Sequence, residues 1–140
     1  MIAIGSNSGK GERLLAEVPA AGTIEFVHAD LRTVAATKAA VATITDSAPV
    51  IDALALFANR QAPLRSETPE GLEATFTLYY LSRYLLSHQL TPALSRSATP
   101  VIINVAGVGI TKGSIHWEDL QLSRDYGMVT AHPAAGRTGQ

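Results

Sequence analysis

The longest uninterrupted apolar-periodic segment of the 140-residue chain runs from Thr68 to Leu94, and the short runs on either side need something to pack on. The periodicity predicts a central helix. Thr68 can accept from free first-turn amides, Pro69 suits the first helical position, and Glu70 and Glu73 sit where the helix dipole favours negative charge. Leu78, Leu81 and Leu85 fall on one stripe, while Phe76, Tyr79, Tyr80 and Tyr84 widen the apolar surface beyond one face. A helix of this kind is covered on more than one side, by a sheet and by another helix or a second subunit. Its tyrosines read as packing residues with hydroxyls at the rim.

The rest of the chain alternates. Ile2 to Ile4 is a short strand ending at Gly5-Ser6-Asn7, and Lys10 to Val18 has helical spacing. Pro19 to Gly22 stops that helix, and Thr23 to Ala29 is a strand. Asp30-Leu31 opens a loop before an alanine-rich helix from about Val34 to Ser47. After Pro49, Ile51 to Phe57 is an apolar strand of the type buried on both faces, and Val101 to Val105 is the clearest strand of all. Strand, helix, strand, helix, strand, helix, strand implies right-handed crossovers and a parallel sheet with helices on both faces, an α/β doubly wound pattern. Ile115 to Leu120 reads as a short extended piece and a turn of helix. The glycine-containing tail from Gly127 to Gln140 offers little surface to bury, which divides the chain into a domain over 1–126 and a loosely docked tail over 127–140.

Length allows one domain with a core that needs no disulfide or metal. The absence of cysteine removes thiolate chemistry. A net charge of −1, with basic residues scattered, lacks the electrostatic footprint of a nucleic-acid or anionic-membrane binder. No basic leader and no membrane-length apolar run is visible, so a cytoplasmic protein is the expectation.

Several local strings, in order, resemble the short-chain dehydrogenase/reductase family, in detail its retinol-dehydrogenase-type branch. Asp30-Leu31 after a strand resembles the family's Asp-Leu pair, whose carboxylate accepts from the adenine amino group. Asp52 to Asn59 resembles the strand ending in Asn-Ala-Gly, here read as Phe57-Ala58-Asn59. Arg65 to Phe76 resembles the lead into the long helix, and Val101 to Val105 with Gly113 to Leu120 resembles the strand and insert before the catalytic tyrosine. The resemblance implies NAD or NADP as cofactor, with Ser6, Asn7, Asp30, Leu31, Ala58 and Asn59 at the cofactor-binding positions. Ser6 stands where a basic residue would favour NADP, so no preference is legible.

The match starts at the family's second strand, which implies a partial Rossmann-like doubly wound parallel sheet lacking the first strand. Gly5-Ser-Asn-Ser-Gly-Lys-Gly11 has neither GxGxxG nor GxxxxGK[ST] spacing and reads as a turn and helix start. At the family's catalytic positions the chain carries Ala106 and Gly107 for serine, His132 for tyrosine, Gly136 for lysine and Tyr79 for the helix asparagine. The resemblance therefore implies an oxidoreductase scaffold without the usual hydride-transfer set, inactive alone. The alternatives are a non-catalytic interaction module and an incomplete copy of an active enzyme. In the family the first strand lies mid-sheet, so the strand at Ile2 is expected to pair directly with the one at Ile51, or a partner chain to fill the gap. A homo-oligomer or a full-length relative, met through the 68–94 helix or an exposed sheet edge, is the expected partner.

Other chemistry is bland. His116, Glu118 and Asp119 read as solvated surface residues and not as metal ligands. His28 reads as an edge or core histidine, and His88 suits the negative end of the helix dipole. His132 has no orienting carboxylate in sequence reach.

Overall fold

The computed structural model describes residues 1–18, 23–60, 62–106, 115–124 and 126. Four strands and the helices between them follow the expected alternation: β1 (Ile2–Gly5), α1 (Ser8–Glu17), β2 (Glu25–His28), α2 (Val34–Ser47), β3 (Ala53–Leu56), then α3 (Ala74–Phe76), a π-type turn (Thr77–Leu81), α4 (Ser82–Gln89), α5 (Thr91–Leu94) and β4 (Val101–Asn104). Pro19 to Gly22 and the expected tail over 127–140 lie outside the described residues.

The strands form two parallel pairs, β1 with β2 and β3 with β4. Alternation along β2 sends Phe26 and Val27 to opposite faces. The ring of Phe26 lies against Gly5 and Gly11, the latter in α1, whereas Val27 joins Ala40, Val41 and Ile44 of α2 in the core. Helices therefore cover both faces of the first pair, as doubly wound architecture requires. Leu56, Leu78, Leu86, Leu90 and Leu94 extend the same core beneath the second pair, and α2 packs against α4.

The expected direct pairing of the Ile2 and Ile51 strands does not occur, because β1 takes only β2 and β3 only β4. Helices pack about 8–10 Å apart, whereas strands pair at about 4.8 Å. Between the strand pairs lies an open cavity lined by Ile2, Ile4, Ala53 and Ala55 among others.

The central helix starts later than Thr68. Gly71 adopts a positive φ of 75°, and Thr68 to Leu72 form a turn in which Thr68 N donates to Leu72 O and Gly71 N to Thr68 O. The cap is Glu73, only 1 % exposed, whose carboxylate accepts from the amides of Thr75 (2.8 Å) and Phe76 (2.5 Å). Glu70 instead accepts from the Ala35 amide at the start of α2 (3.1 Å), tying the two helix beginnings together. β3 was expected to be buried on both faces. Leu54 and Leu56 face the core, but Ala53 and Ala55 face outward, and Phe57 and β4 are exposed. Residues 117–121 form turns and not a helix.

Candidate functional site at the carboxyl ends of the strands

In open α/β sheets, ligands meet the loops that follow the carboxyl ends of the strands. The loops after β1, β2 and β3 fall among the described residues. After β1, Asn7 caps α1, its Oδ1 accepting from Lys10 N (2.9 Å), and the Ser6 carbonyl accepts from His28 Nε2 (3.2 Å). A Cβ at Gly11 would lie 2.4 Å from the Phe26 ring, and one at Gly5 would lie 3.2 Å from it. Those two glycines make room for an aromatic ring. The Gly5 to Gly11 stretch serves helix-to-strand packing and does not fit a phosphate cradle.

After β2, both Asp30 oxygens are engaged by Arg32. Its Nη2 donates to Oδ2 (2.6 Å), its Nε reaches Oδ1 and Oδ2 (3.0 and 3.1 Å), and its amide donates to Oδ1 (3.0 Å). This bidentate contact holds the Asp30 carboxyl below its ordinary value, against the opposing effect of burial. An adenine amino group would have to share an acceptor already occupied by a guanidinium. Leu31 is buried in the core.

After β3 lies the densest polar cluster. Tyr79 donates its hydroxyl proton to Asn59 Oδ1 and accepts from Arg60 N (3.2 Å). Arg83, one helical turn on, spans β3 and β4: Nη1 donates to Asn104 Oδ1 and Nη2 to Ala58 O (3.1 Å), while the guanidinium lies 5.4 Å from the Tyr79 ring centroid. Burial raises the Tyr79 phenol above its ordinary value, outweighing the lowering effects of the Arg60 amide and the Arg83 charge. Arg83 is only 7 % exposed, and its Nε is the buried side-chain atom without a hydrogen-bond partner among the described residues.

The six expected cofactor positions therefore divide. Leu31 and Ala58 border an open cavity of about 810 Å³ between β1 and β3, whereas Ser6, Asn7, Asp30 and Asn59 do not line it. Arg32, Arg60, Ser66 and Thr75 line a second cavity of about 110 Å³, below the roughly 300–1,000 Å³ of small-molecule sites. Sequence reasoning missed Arg83 and Asn104. An arginine within a leucine and tyrosine stripe, four residues beyond Tyr79, was the available signal.

Of the positions compared with catalytic residues, Ala106 and Tyr79 are described, and Gly107, His132 and Gly136 lie outside the described residues. Asp119 is bound within its own turn, accepting from Ser123 N, Ser123 Oγ and Arg124 N, which lowers its carboxyl to about 2. No group of three potential metal ligands occurs among the described residues. His28 is an exposed residue at the end of β2, and His88 stands in the last turn of α4 against Tyr84. Among the described residues no helix is long and apolar enough to cross a membrane.

Parallel strands, crossover helices on both faces and a polar cluster at the carboxyl edge define a doubly wound α/β protein of the Rossmann type. A family model described as short chain dehydrogenase matches residues 1–119, and the chain belongs to that family. It is 32% identical over 102 residues to an NmrA-like family domain-containing oxidoreductase, notO, of an Aspergillus species, covering 72% of this chain and 31% of that protein. It is 33% identical over 67 residues to mouse retinol dehydrogenase 11, covering 48% of this chain and 21% of that protein. The chain thus spans about a third or less of these curated relatives' own length. The solved structure of Pseudomonas aeruginosa RhlG in an active-site complex with NADP superposes with a TM-score of 0.64 at 21% identity, covering 96% of this chain and 51% of that one.

Proposed function

We propose that this chain is a short-chain-dehydrogenase-type module, related to NAD(P)-dependent oxidoreductases, that does not transfer hydride by itself. The observation that carries the reading is Tyr79, which stands at the position compared with the family's helix asparagine and donates its hydroxyl proton to Asn59. A phenol at that position offers one O–H where an asparagine offers an amide N–H2 and C=O, so the support that the resemblance puts there for a proton relay is changed. Two further observations support it: Arg32 occupies the Asp30 acceptor, and the glycines at 5 and 11 accommodate Phe26. NADP stands in the RhlG structure. In this chain, NAD or NADP contact is reduced to the adenosine end, with Asp30, Leu31, Ala58 and Asn59 as its nearest residues and Ser6 and Asn7 at the margin. A cytoplasmic location belongs to the same reading.

The test is a titration of the purified protein with NADPH and NADH, followed by nicotinamide fluorescence, beside an aldehyde and ketone reduction assay. Weak or no dinucleotide binding and no turnover are expected. Micromolar affinity, or reduction of any carbonyl above the buffer rate, would refute the proposal.

A further inference from the structure

The turn from His116 to Arg124, with Tyr126, comes back across the chain onto the segment that leads into the central helix. Gln121 makes two contacts there: its carbonyl accepts from Arg65 Nε (3.0 Å), and its side-chain Oε1 accepts from the Glu73 amide (2.7 Å). Glu67 aims Arg65, its Oε1 accepting from Nη1 (2.6 Å). The Tyr126 hydroxyl donates to Ala62 O (3.1 Å), so Thr75 Oγ1 is the donor to the Tyr126 oxygen (3.3 Å). These four contacts join residues 48 to 64 positions apart.

The same turn carries backbone strain. Leu122 has a φ of 47°, the one positive value at a non-glycine among the described residues. The left-handed region is costly for a leucine and persists only where the surroundings impose it. Here Leu122 N donates to Asp119 O (3.0 Å) and Ser123 N to Asp119 Oδ1 (2.9 Å), while Gln121 on the other side is tied down twice. Ile115, Trp117 and Leu120 are exposed, so apolar burial does little to hold the turn in place. Polar tethers, strain and scant burial belong to a segment that opens well before the core does. What the tethers hold bears on the candidate site. Ala62 and Arg65 follow closely on Asn59 and Arg60, which bond the Tyr79 hydroxyl, and Ala62 and Thr75 line the smaller cavity beside Arg32 and Arg60.

We propose that the 116–124 turn with Tyr126 is a strap, latched by Gln121 and Tyr126, that releases as one unit and thereby loosens the contacts of Tyr79 with Asn59 and Arg60. With the strap closed, as in this structure, Ala62 and Arg65 are pinned and Asn59 and Arg60 stay on the Tyr79 hydroxyl. With it open, both pins are lost and the polar cluster after β3 slackens. The start of the central helix survives the change, because the Glu73 carboxylate holds the Thr75 and Phe76 amides without help from the strap. Strain at Leu122 favours the open form, and the Gln121 and Tyr126 contacts favour the closed one. The strap therefore selects between a tight and a loose form of the strand-end site.

Amide hydrogen exchange of the protein and two variants is the test. Tyr126 bonds neither the Glu73 amide, which reports the Gln121 latch, nor the Arg60 amide, which reports the contact with Tyr79. Tyr126→Phe is nonetheless expected to speed exchange about tenfold at both, through loss of the hydroxyl contacts that close the strap. Thr75, Phe76, Val41 and Ile44 are expected to keep their rates. Leu122→Asn, which tolerates a positive φ, is expected to slow Glu73 and Arg60 about fivefold by relieving the closed form. A response at Glu73 alone would show a latch without reach to the candidate site, and a response at neither would show independent contacts. Faster exchange at Val41 and Ile44 as well would show general destabilisation, and unchanged rates in Leu122→Asn would show that the closed form holds no strain. Each of those results overturns the proposal. The readout involves neither dinucleotide nor turnover, so it stands or falls separately from the proposed function.

Discussion

Gly11 shows how one missing side chain fixes a joint. It is the buried residue of α1, and a Cβ there would approach three Phe26 ring carbons at 2.4–2.7 Å, nearer than any real contact. Gly11→Ala is expected to destabilise the protein by about 1–3 kcal/mol, through overpacking. Phe26→Leu in the same background is expected to recover part of that loss, measured as urea midpoints at constant slope. Phosphate affinity plays no part in this expectation, which separates a packing glycine from a ligand-binding one. Arg83 is the contrasting residue: a buried cation held by neutral oxygens and an aromatic face, with one N–H unspent.

At the scale of elements, caps decide where segments begin. Thr68-Pro69-Glu70 has the composition of a helix start, yet Gly71 turns the chain, and the start passes to Glu73, whose buried carboxylate takes two amides. The turn after Trp117 is held in the same manner by Asp119, which gathers the Ser123 and Arg124 amides and lies well below the usual carboxylate range at about 2. A depressed folded-state pKa stabilises the turn fully above the ordinary value of 3.8, and that contribution is lost as pH falls through about 2. Amide chemical shifts of Ser123 and Arg124 are expected to titrate together with a midpoint near 2. A midpoint near 3.8 would show that Asp119 is solvated and the turn is held otherwise.

For the molecule as a whole, the outer face of the α3 to α4 segment carries a ladder of stacked rings. Phe76 lies 5.3 Å from Tyr80, Tyr80 lies 6.4 Å from Tyr84, and Tyr84 lies 5.6 Å from His88. Tyr80 and Tyr84 are each 53 % exposed, unlike Leu78 and Leu86 on the inner face. If this face meets a second copy, sedimentation velocity will show mass rising with concentration, and Tyr80→Ser with Tyr84→Ser will abolish the rise without moving the thermal midpoint. A concentration-independent monomer would leave the ladder as surface packing alone.

The sequence determined the order and kind of the elements on its own, because periodicity, caps and breakers are local. Val34 to Ser47 is helical with the bounds that its alanine-rich pattern implied, β2, β3 and β4 fall within the expected runs, and β1 runs one residue past Ile4 to Gly5. The strings around Asp30 and Phe57 also carried the family. Tertiary structure alone decided how the strands pair and which polar groups meet. Pairing depends on where α2 and α4 seat the two strand pairs, so β1 and β3 stay unpaired with each other although their patterns permit contact. Arg83, Asn104, Tyr79 and Asn59 lie up to 45 positions apart and come together only when β3, β4 and the helix between them share one edge. No local signal encodes that meeting, since the free energy that fixes it comes from burying leucines elsewhere in the core.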